Sequence, residues 1–218
     1  MHTRETIYNV AVKHGLRATF APRIFMNNNG NAAHTHISVH SDRVKKDLQL
    51  SSIEKSFLAG VLDHLPSICA LTLPIPASYN RVKDGVLSGG TYVCWGTENR
   101  EAPLRLTNSA SPSSRRFEMR FVDGTASPYL VLASILSAGY LGIQSTLELT
   151  ISDCRGFKSA AELSEDERHA LGIYKRMPLN WNEARKSFAS DTQLTKILGT
   201  EFQEKYLSVN KVRFSTCL

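Results

Sequence analysis

The stretch Arg116–Phe121 alternates strictly between charged and apolar side chains, and it constrains the fold more than any other part of the chain. Side chains two apart on a β-strand share a face, so Arg116, Glu118 and Arg120 lie opposite two phenylalanines and a methionine. The apolar face predicts a half-buried strand. The charged face is either a solvated charge ladder or a site where an acid between arginines stays ionised and binds a cation.

A second strand is predicted over Ala33–His40, directly after a turn-rich stretch that contains Asn29 and Gly30. Its alternation places His34, His36 and Ser38 on one face. Two imidazoles and a hydroxyl on one face could hold a metal and a phosphate oxygen. Taken alone, the pattern is weak, because a polar face in water more often explains two histidines at this spacing.

Arginines also flank a loop rich in glycine and serine, Asp84–Gly90. Arg81 precedes this loop, and Arg100 and Arg105 follow it. A glycine-bearing loop between arginine-bearing segments indicates a flap over a ligand, although an ordinary surface loop would have the same composition.

The remaining pattern favours an α+β fold, in which a curved antiparallel sheet carries helices packed on one side. Ser51 and Glu54 form a predicted capping box, Pro66 is expected to start a second helix, and Tyr129–Ile143 reads as a buried core helix. Further strands are predicted at 16–20, 91–95 and 102–106, and further helices at 3–14, 161–171, 182–189 and 200–211. We expect one domain, 1–218, with the sheet and site in 1–150 and a helical subregion in 151–218.

Composition narrows the class of partner. The 218 residues carry 26 Lys and Arg against 20 Asp and Glu, a net charge of +6. No run of five basic residues exists, and many arginines lie beside apolar segments, where each needs an anion. We therefore expect a small anionic ligand, with no nucleic-acid partner and no membrane partner. The four cysteines lack paired spacing, and no leader is visible, so a cytoplasmic protein with free thiols is expected.

Together these motifs resemble the glutamine synthetase catalytic domain in order and spacing. The family pattern has an Asn-Gly-x-x-x-His-x-His-x-Ser strand, a Ser-Tyr-x-Arg segment with a flap, and an Asn-Arg stretch followed by a further arginine. An Arg-x-Glu-x-Arg-Phe strand and a Pro-Tyr-Leu helix start complete it, and all are present between residues 17 and 145. The segment Glu98–Ala102 looks like the fungal, developmental-regulator-like branch, whose members can carry this domain behind an amidohydrolase-like one.

The resemblance implies roles for individual residues. Asn29, Gly30, Arg81 and Arg120 would bind the amino-acid substrate, and His34 and Glu118 would share a divalent metal. The residues implied to face ATP are His36, Ser38, Arg100, Arg105 and Arg116, with Arg100 stabilising the transferring phosphoryl group and Arg100 and Arg120 as the catalytic pair.

The implied reaction is glutamine-synthetase-type ligation, a carbon–nitrogen ligase activity. ATP phosphorylates a γ-carboxylate of glutamate or a similar substrate, and ammonia or another amine displaces the phosphate. The cofactors would be ATP and Mg²⁺ or Mn²⁺, the substrates small molecules, and the full-length form a homo-oligomer. The family's other acidic metal ligands lie on strands upstream of the region matched here. We therefore expect a catalytic domain truncated at its N-terminal side, an incomplete metal site, doubtful activity for this chain alone, and an unpaired sheet edge near 16–20 that promotes association.

One departure keeps three functions open. Where the family's flap has Gly-Tyr-Glu, this chain has Gly85-Val86-Leu87. That glutamate is expected to take a proton from ammonium, and leucine cannot. The chain is therefore a ligase with another proton acceptor, a γ-glutamyl-amine ligase with an acceptor other than ammonia, or a non-catalytic regulatory or relic protein that keeps the fold.

Overall fold

The computed structural model describes residues 2–40, 49–85, 89–156 and 158–215, apart from the side chains of 212–215. The strands are β1 (Thr35–Ile37), β2 (Trp95–Thr97), β3 (Leu104–Thr107) and β4 (Arg116–Met119). The α-helices are α1 (His2–Lys13), α2 (Ser52–Thr72), α3 (Pro128–Gln144), α4 (Glu165–Ala170), α5 (Trp181–Ser190), α6 (Thr192–Leu198) and α7 (Thr200–Ser215). Short 3₁₀ turns cover Pro76–Asn80 and Ala160–Glu162.

The four strands form one sheet in the order β1-β4-β3-β2. The pairs β1–β4 and β3–β4 are antiparallel, whereas β2 and β3 are parallel. The α+β prediction is confirmed, but the sheet is mixed, so the expectation of a wholly antiparallel sheet is wrong in one pairing. Sequence pattern does not distinguish the two directions here, because β2 is three residues long and both its faces are buried.

Two strand predictions need correction. Residues 16–20 form no strand. Among the described residues the edge strands of the sheet are β1, which pairs with β4 alone, and β2, which pairs with β3 alone. The strand predicted at 91–95 begins only at Trp95, because the residues before it bond to a distant segment: the Val93 N–H donates to the Lys175 carbonyl at 2.9 Å. Long-range pairing of this kind leaves no local signal.

Helix α2 is continuous through Pro66, so the predicted second helix does not exist. Its start is as predicted: the Ser51 side chain accepts from the Glu54 N–H, and Glu54 reaches back to the Ser51 N–H. Proline removes one backbone bond from a helix interior, but burial of α2 along nearly its whole length favours the helix over that local cost.

Helices α2 and α3 touch backbone to backbone through glycines. A Cβ on Gly60 would lie 2.3 Å from the Ala138 carbonyl oxygen, and one on Gly142 would lie 2.1 Å from the Ser56 carbonyl oxygen. This contact buries only one face of α3. The prediction of a buried core helix is therefore wrong for the opposite face, where Tyr129 is 70% exposed and Tyr140 55%.

The C-terminal helices join the core through an apolar cluster, with α5 packed on α2 and α6 on α3. Phe188 of α5 and Leu194 of α6 are fully buried in the core that α2 and the sheet share. Helix α6 was not predicted, and the helix expected over 161–171 is a 3₁₀ turn followed by α4. The division at residue 150 stays a prediction. Among the described residues, no helix is long and apolar enough to cross a bilayer.

Candidate functional site

Glu118 is the centre of the polar face of the sheet. Because β4 lies between β1 and β3, the register sets His36 on one side of Glu118 and Arg105 on the other. The His34 Nδ1 is 2.8 Å from Glu118 Oε1, and the His36 Nε2 is 4.0 Å from the same oxygen. Arg105 donates to Oε2 at 3.1 Å and Arg120 to Oε1 at 2.9 Å. We call Glu118, His34, Arg105 and Arg120 the open cluster.

The open cluster holds Glu118 as a carboxylate. Burial by itself would raise the pKa of Glu118, since the charged form loses its water. The hydrogen bond from His34 and the positive charge of Arg120 outweigh burial, with a further hydrogen bond from Arg105, and lower the pKa to about 2. The predicted ionised acid between arginines is present.

Arg120 links this cluster to a second group of predicted residues. The backbone carbonyl of Arg120 accepts from both terminal nitrogens of Arg81, at 3.3 and 3.4 Å. Gly30 lies directly on Arg81: an added Cβ would come within 2.9 Å of the Arg81 Cβ. Glycine is therefore required at position 30 by close approach. Burial lowers the pKa of the Arg81 guanidinium, which Asp123 partly opposes and Arg120 reinforces.

An unpredicted arginine shapes the loop that carries Asn29 and Gly30. Arg23 donates to the carbonyls of Asn28 at 3.0 Å and Met26 at 2.6 Å, and across to the Asn80 carbonyl at 3.0 Å. It thus ties the asparagine loop to the segment that ends in Arg81. Asn29 itself is exposed.

Three other predicted residues are not drawn into the cluster. Ser38, Arg100 and Arg116 are exposed. Arg116 lies two residues before Glu118 on β4 and shares its face, whereas Ser38 lies one residue beyond the end of β1. Their roles stay predictions.

The base of the glycine loop is clamped. The Thr91 hydroxyl donates to Asp84, and Arg176 donates to Asp84 at 2.6 Å and to Thr91 at 2.8 Å. At the far end Gly89, with φ +99°, packs on Arg120: an added Cβ would lie 3.1 Å from the Arg120 Cβ. The loop therefore ends on the site. Leu87, the residue in the place of the family's glutamate, lies outside the described residues.

The donors of the open cluster fit a divalent cation in part. The Nε2 of His34 is buried and has no hydrogen-bond partner in the described part of the chain. This imidazole nitrogen is therefore available to bind a metal ion. His34 and Glu118 would hold the cation. They provide two ligands of about six, and the described residues contain no group of three His, Cys, Asp or Glu side chains close enough to bind a metal.

Unsatisfied cationic groups surround this acid. Within the described ranges, the Nε atoms of Arg81, Arg105 and Arg120 are buried without a hydrogen-bond partner. Buried polar atoms are normally paired, and guanidinium groups prefer carboxylate and phosphate partners. The site is therefore built to receive anions.

Sequence reasoning did not predict the surroundings of three acids. Glu98 binds Arg105 at 2.5 Å, Glu101 has a buried oxygen next to the glycine loop, and Glu54 forms a bidentate pair with Arg115, both contacts being 2.7 Å. A signal existed for the last pair. Arg115 is two residues before Phe117 and therefore lies on the buried face of β4, where its charge requires a buried anion.

Comparisons with known proteins agree with the motif pattern. The family model described as "Glutamine synthetase, catalytic domain" matches residues 1–216. The chain is 42% identical over 209 residues to "Protein fluG" of Emericella nidulans, covering 96% of this chain and 22% of that protein. It is 35% identical over 215 residues to "Gamma-glutamylpolyamine synthetase GlnA3" of Streptomyces coelicolor, covering 94% and 45%. The solved structure "Apo GmaS without ligand" superposes with a TM-score of 0.78 at 28% identity, covering 99% and 48%.

The coverage is asymmetric in all these comparisons. Almost the whole chain is matched each time, yet it spans about half the length, or less, of the relatives. The similarity therefore identifies the fold and the family of this region, and at least half of each of these relatives lies outside the matched part.

Proposed function

The chain belongs to the glutamine synthetase catalytic-domain family, and from that premise we propose that it serves ATP-dependent ligation of a glutamate-like carboxylate to an amine. The γ-carboxylate attacks the γ-phosphorus of ATP, the bond to ADP breaks, and an acyl phosphate results. The amine nitrogen then forms a bond to the acyl carbon, and phosphate leaves with the electron pair of the broken C–O bond.

The observation that carries this proposal is a set of three arginines, Arg81, Arg105 and Arg120, each with a buried Nε that has no hydrogen-bond partner among the described residues. Arg105 and Arg120 pair with the ionised Glu118, and Arg81 donates to the backbone carbonyl of Arg120. Phosphoryl transfer depends mainly on positioning and charge neutralisation, which such an array provides. A protein that used this sheet only as a scaffold would gain nothing from buried guanidinium nitrogens that its own acids leave unpaired.

Each group has a proposed task. Arg81 and Arg120 bind the carboxylates of the amino acid, with Asn29 and Gly30 forming the wall beside them. ATP is bound by His36, Ser38, Arg105 and Arg116. Arg100 neutralises the negative charge of the phosphoryl group during its transfer. His34 and Glu118 would hold Mg²⁺ or Mn²⁺, which supplies charge neutralisation for the phosphates when bound.

Two further proposals concern the molecule as a whole. We infer small-molecule substrates and a homo-oligomeric full-length form. The exposed apolar face of α3, with Tyr129, Leu132, Leu136 and Tyr140, supports association, because monomers rarely leave such a continuous stripe in water. A cytoplasmic location stays a prediction.

A second candidate is a non-catalytic protein that keeps the fold. Two observations favour it: the leucine at position 87, and the lack of a three-ligand metal group among the described residues. It predicts binding of anions without turnover. The ligase predicts turnover.

Glutamate-dependent release of ADP from ATP separates the two candidates. In the purified full-length protein with Mg²⁺, we expect release that depends on glutamate and falls about 10²–10³-fold in Arg100→Ala, the usual cost of removing one preorganised charge-stabilising donor. Arg155→Ala is the matched control, because Arg155 is 72% exposed in its side chain and makes only a 3.7 Å ion pair with Asp153. Absence of glutamate-dependent release in the unmutated protein would establish the non-catalytic candidate.

A further inference from the structure

Glu101 has a carboxylate oxygen that the roles above leave unused. Its Oε1 is buried and has no hydrogen-bond partner in the described part of the chain. A buried acceptor that finds no donor costs about 1–3 kcal/mol, and more when the group is charged. A ligand that carries an N–H group could supply the missing donor to Glu101.

The backbone of Glu101 is held rigidly. Its N–H donates to Asn99 Oδ1 at 2.8 Å. Asn99 is fully buried, and its Nδ2 donates to the carbonyls of Cys154 at 2.6 Å and Lys158 at 3.1 Å. The side chain of Glu101 is thus presented from a fixed point, as a group that positions a substrate must be.

Glu101 lies at the end of the glycine loop, next to the substrate-binding arginine. Gly90, with φ +70°, approaches so closely that an added Cβ would be 2.4 Å from the Glu101 carbonyl oxygen. Gly89 packs on Arg120 in the same way, at 3.1 Å. The loop end therefore contacts both residues, and Arg120 is the cation whose charge acts on Glu101.

The other acids of this region are already engaged. Glu118 accepts from His34 and two arginines, and Glu98 accepts from Arg105 and from the Asn108 N–H at 2.7 Å. Asp123 also has an oxygen without a partner in the described ranges, but this residue is wholly buried and its charge acts on Arg81. Glu101 alone among these four combines an unpartnered oxygen with partial exposure to solvent.

We propose that Glu101 is the carboxylate that receives the incoming amine, a role that rests on the ligase function proposed above. The ligand class is a protonated primary amine, either ammonium or an alkylammonium ion. Glu101 binds the cation and accepts one N–H proton. The freed lone pair forms the C–N bond to the acyl carbon, the C–O bond breaks, and phosphate leaves with that electron pair and takes the second N–H proton.

The electrostatics of Glu101 suit a proton acceptor. Burial raises its pKa, Arg120 partly lowers it, and the negative charge of Glu162 raises it further. A carboxylate with a raised pKa takes a proton from an ammonium ion more readily than an ordinary glutamate does. Arg120 from the end of β4 and Glu162 from the 3₁₀ turn are the charged groups that act on it.

The test compares Glu101→Gln and Glu101→Asp with Glu148→Gln, an exposed glutamate that serves as a matched control. Two rates are measured in the full-length protein: glutamate-dependent ADP release without amine, and product formation with ammonium chloride or with a short aliphatic diamine. For Glu101→Gln we expect the KM for amine to rise at least about tenfold. The KM for glutamate should stay within about twofold, and the acidic limb of the pH profile for amine should disappear.

Each outcome has a defined meaning. The Asp variant should keep the acidic limb at a lower rate, which preserves the test if the Gln variant fails to fold. The arm with the lower KM identifies the amine as ammonium or alkylammonium. An unchanged KM for amine, or an equal rise in KM for glutamate and for amine, would overturn the proposal and leave Glu101 as a structural partner of Arg120. No ADP release in the unmutated protein would instead reject the ligase function itself.

Discussion

Two buried glutamate–arginine clusters lie on β4 and its flanks, and they are built in opposite ways. In the closed cluster, Glu54 accepts from Arg115 through both oxygens and also from the Ser51 N–H and hydroxyl. In the open cluster, Glu118 is equally well bonded, but Arg105 and Arg120 each keep a buried Nε that no described residue contacts by a hydrogen bond. In the closed cluster, the acid and the arginine pair with each other through two hydrogen bonds. In the open cluster, the arginines carry more N–H donors than Glu118 accepts.

The difference teaches how to tell a structural ion pair from a binding site in the same sheet. Burial raises the pKa of Glu54, but hydrogen bonds from Arg115 and Ser51 lower it overall, just as the partners of Glu118 lower its pKa. The two acids therefore share a lowered pKa. The clusters differ in their arginines, because an N–H donor that has no partner within the protein marks the place of a ligand.

The largest effect should come from breaking the closed cluster. Arg115→Ala leaves Glu54 buried at the start of α2 with half of its hydrogen bonds, and such a loss typically costs about 3–5 kcal/mol of the free energy of unfolding. Urea unfolding, followed by tryptophan fluorescence, measures it. Arg116→Ala is the matched control: Arg116 is the next residue on the strand but is exposed, so its loss should cost less than about 0.5 kcal/mol. Equal losses in the two variants would contradict the distinction between clusters.

The sequence alone predicted which side chains share the polar face of the sheet, but not which acids lie beside them. The alternation in 116–121 placed Glu118 and Arg120 correctly, because a period of two is local information. Which strands flank β4 depends on long-range pairing, so Glu98 and Glu101 were missed. The partner of Arg115 also depends on a distant helix, although Arg115 lies on the same strand face as Phe117 and Met119, where a cation needs a buried anion.

Local signals also failed where tertiary packing dominates. Pro66 lies inside a helix that its burial stabilises, and α6 escaped prediction because it is seven residues long. Its N-cap residue Asp191 was present as a signal, since its side chain accepts from the Leu194 N–H at 2.9 Å. Short helices of this kind are recognised by their caps rather than by periodicity.

A second prediction extends the comparison to another closed pair, His64 and Asp191, whose Nδ1 and Oδ2 atoms are 2.7 Å apart. Burial raises the pKa of Asp191, but hydrogen bonds from His64, the Leu194 N–H and Ser67 lower it below the ordinary value of 3.8. The carboxylate therefore stabilises the fold fully at pH values above 3.8, and this stabilisation is lost as pH falls through the lower folded pKa. Asp191→Asn should cost about 1.5–3 kcal/mol at pH 7, the value of a hydrogen bond to a charged group.

Acid titration of the unfolding free energy checks the origin of that cost. The difference between the unmutated protein and Asp191→Asn should shrink below pH 3.8, because protonation removes the same charge that the substitution removes. Asparagine still accepts from the Leu194 N–H, so the helix cap itself is preserved. A difference that is constant with pH would show that shape, not charge, determines the contribution.

The smallest effect should come from the open cluster, at its solvent edge. Glu98 pairs with Arg105, but its side chain is 49% exposed, so water screens the pair and Glu98→Gln should change stability by less than about 1 kcal/mol. The glutamine keeps an oxygen that can accept from the Asn108 N–H, so the turn is retained.

The Glu98→Gln substitution also removes an anion that competes with phosphate for Arg105. If Arg105 binds ATP, the KM for ATP should therefore fall, by roughly twofold, which corresponds to about 0.4 kcal/mol. A KM for ATP that rises would mean that Glu98 orients Arg105 for ATP and does not compete with ATP for it. The unpartnered nitrogens would then overstate how many anions the open cluster can bind.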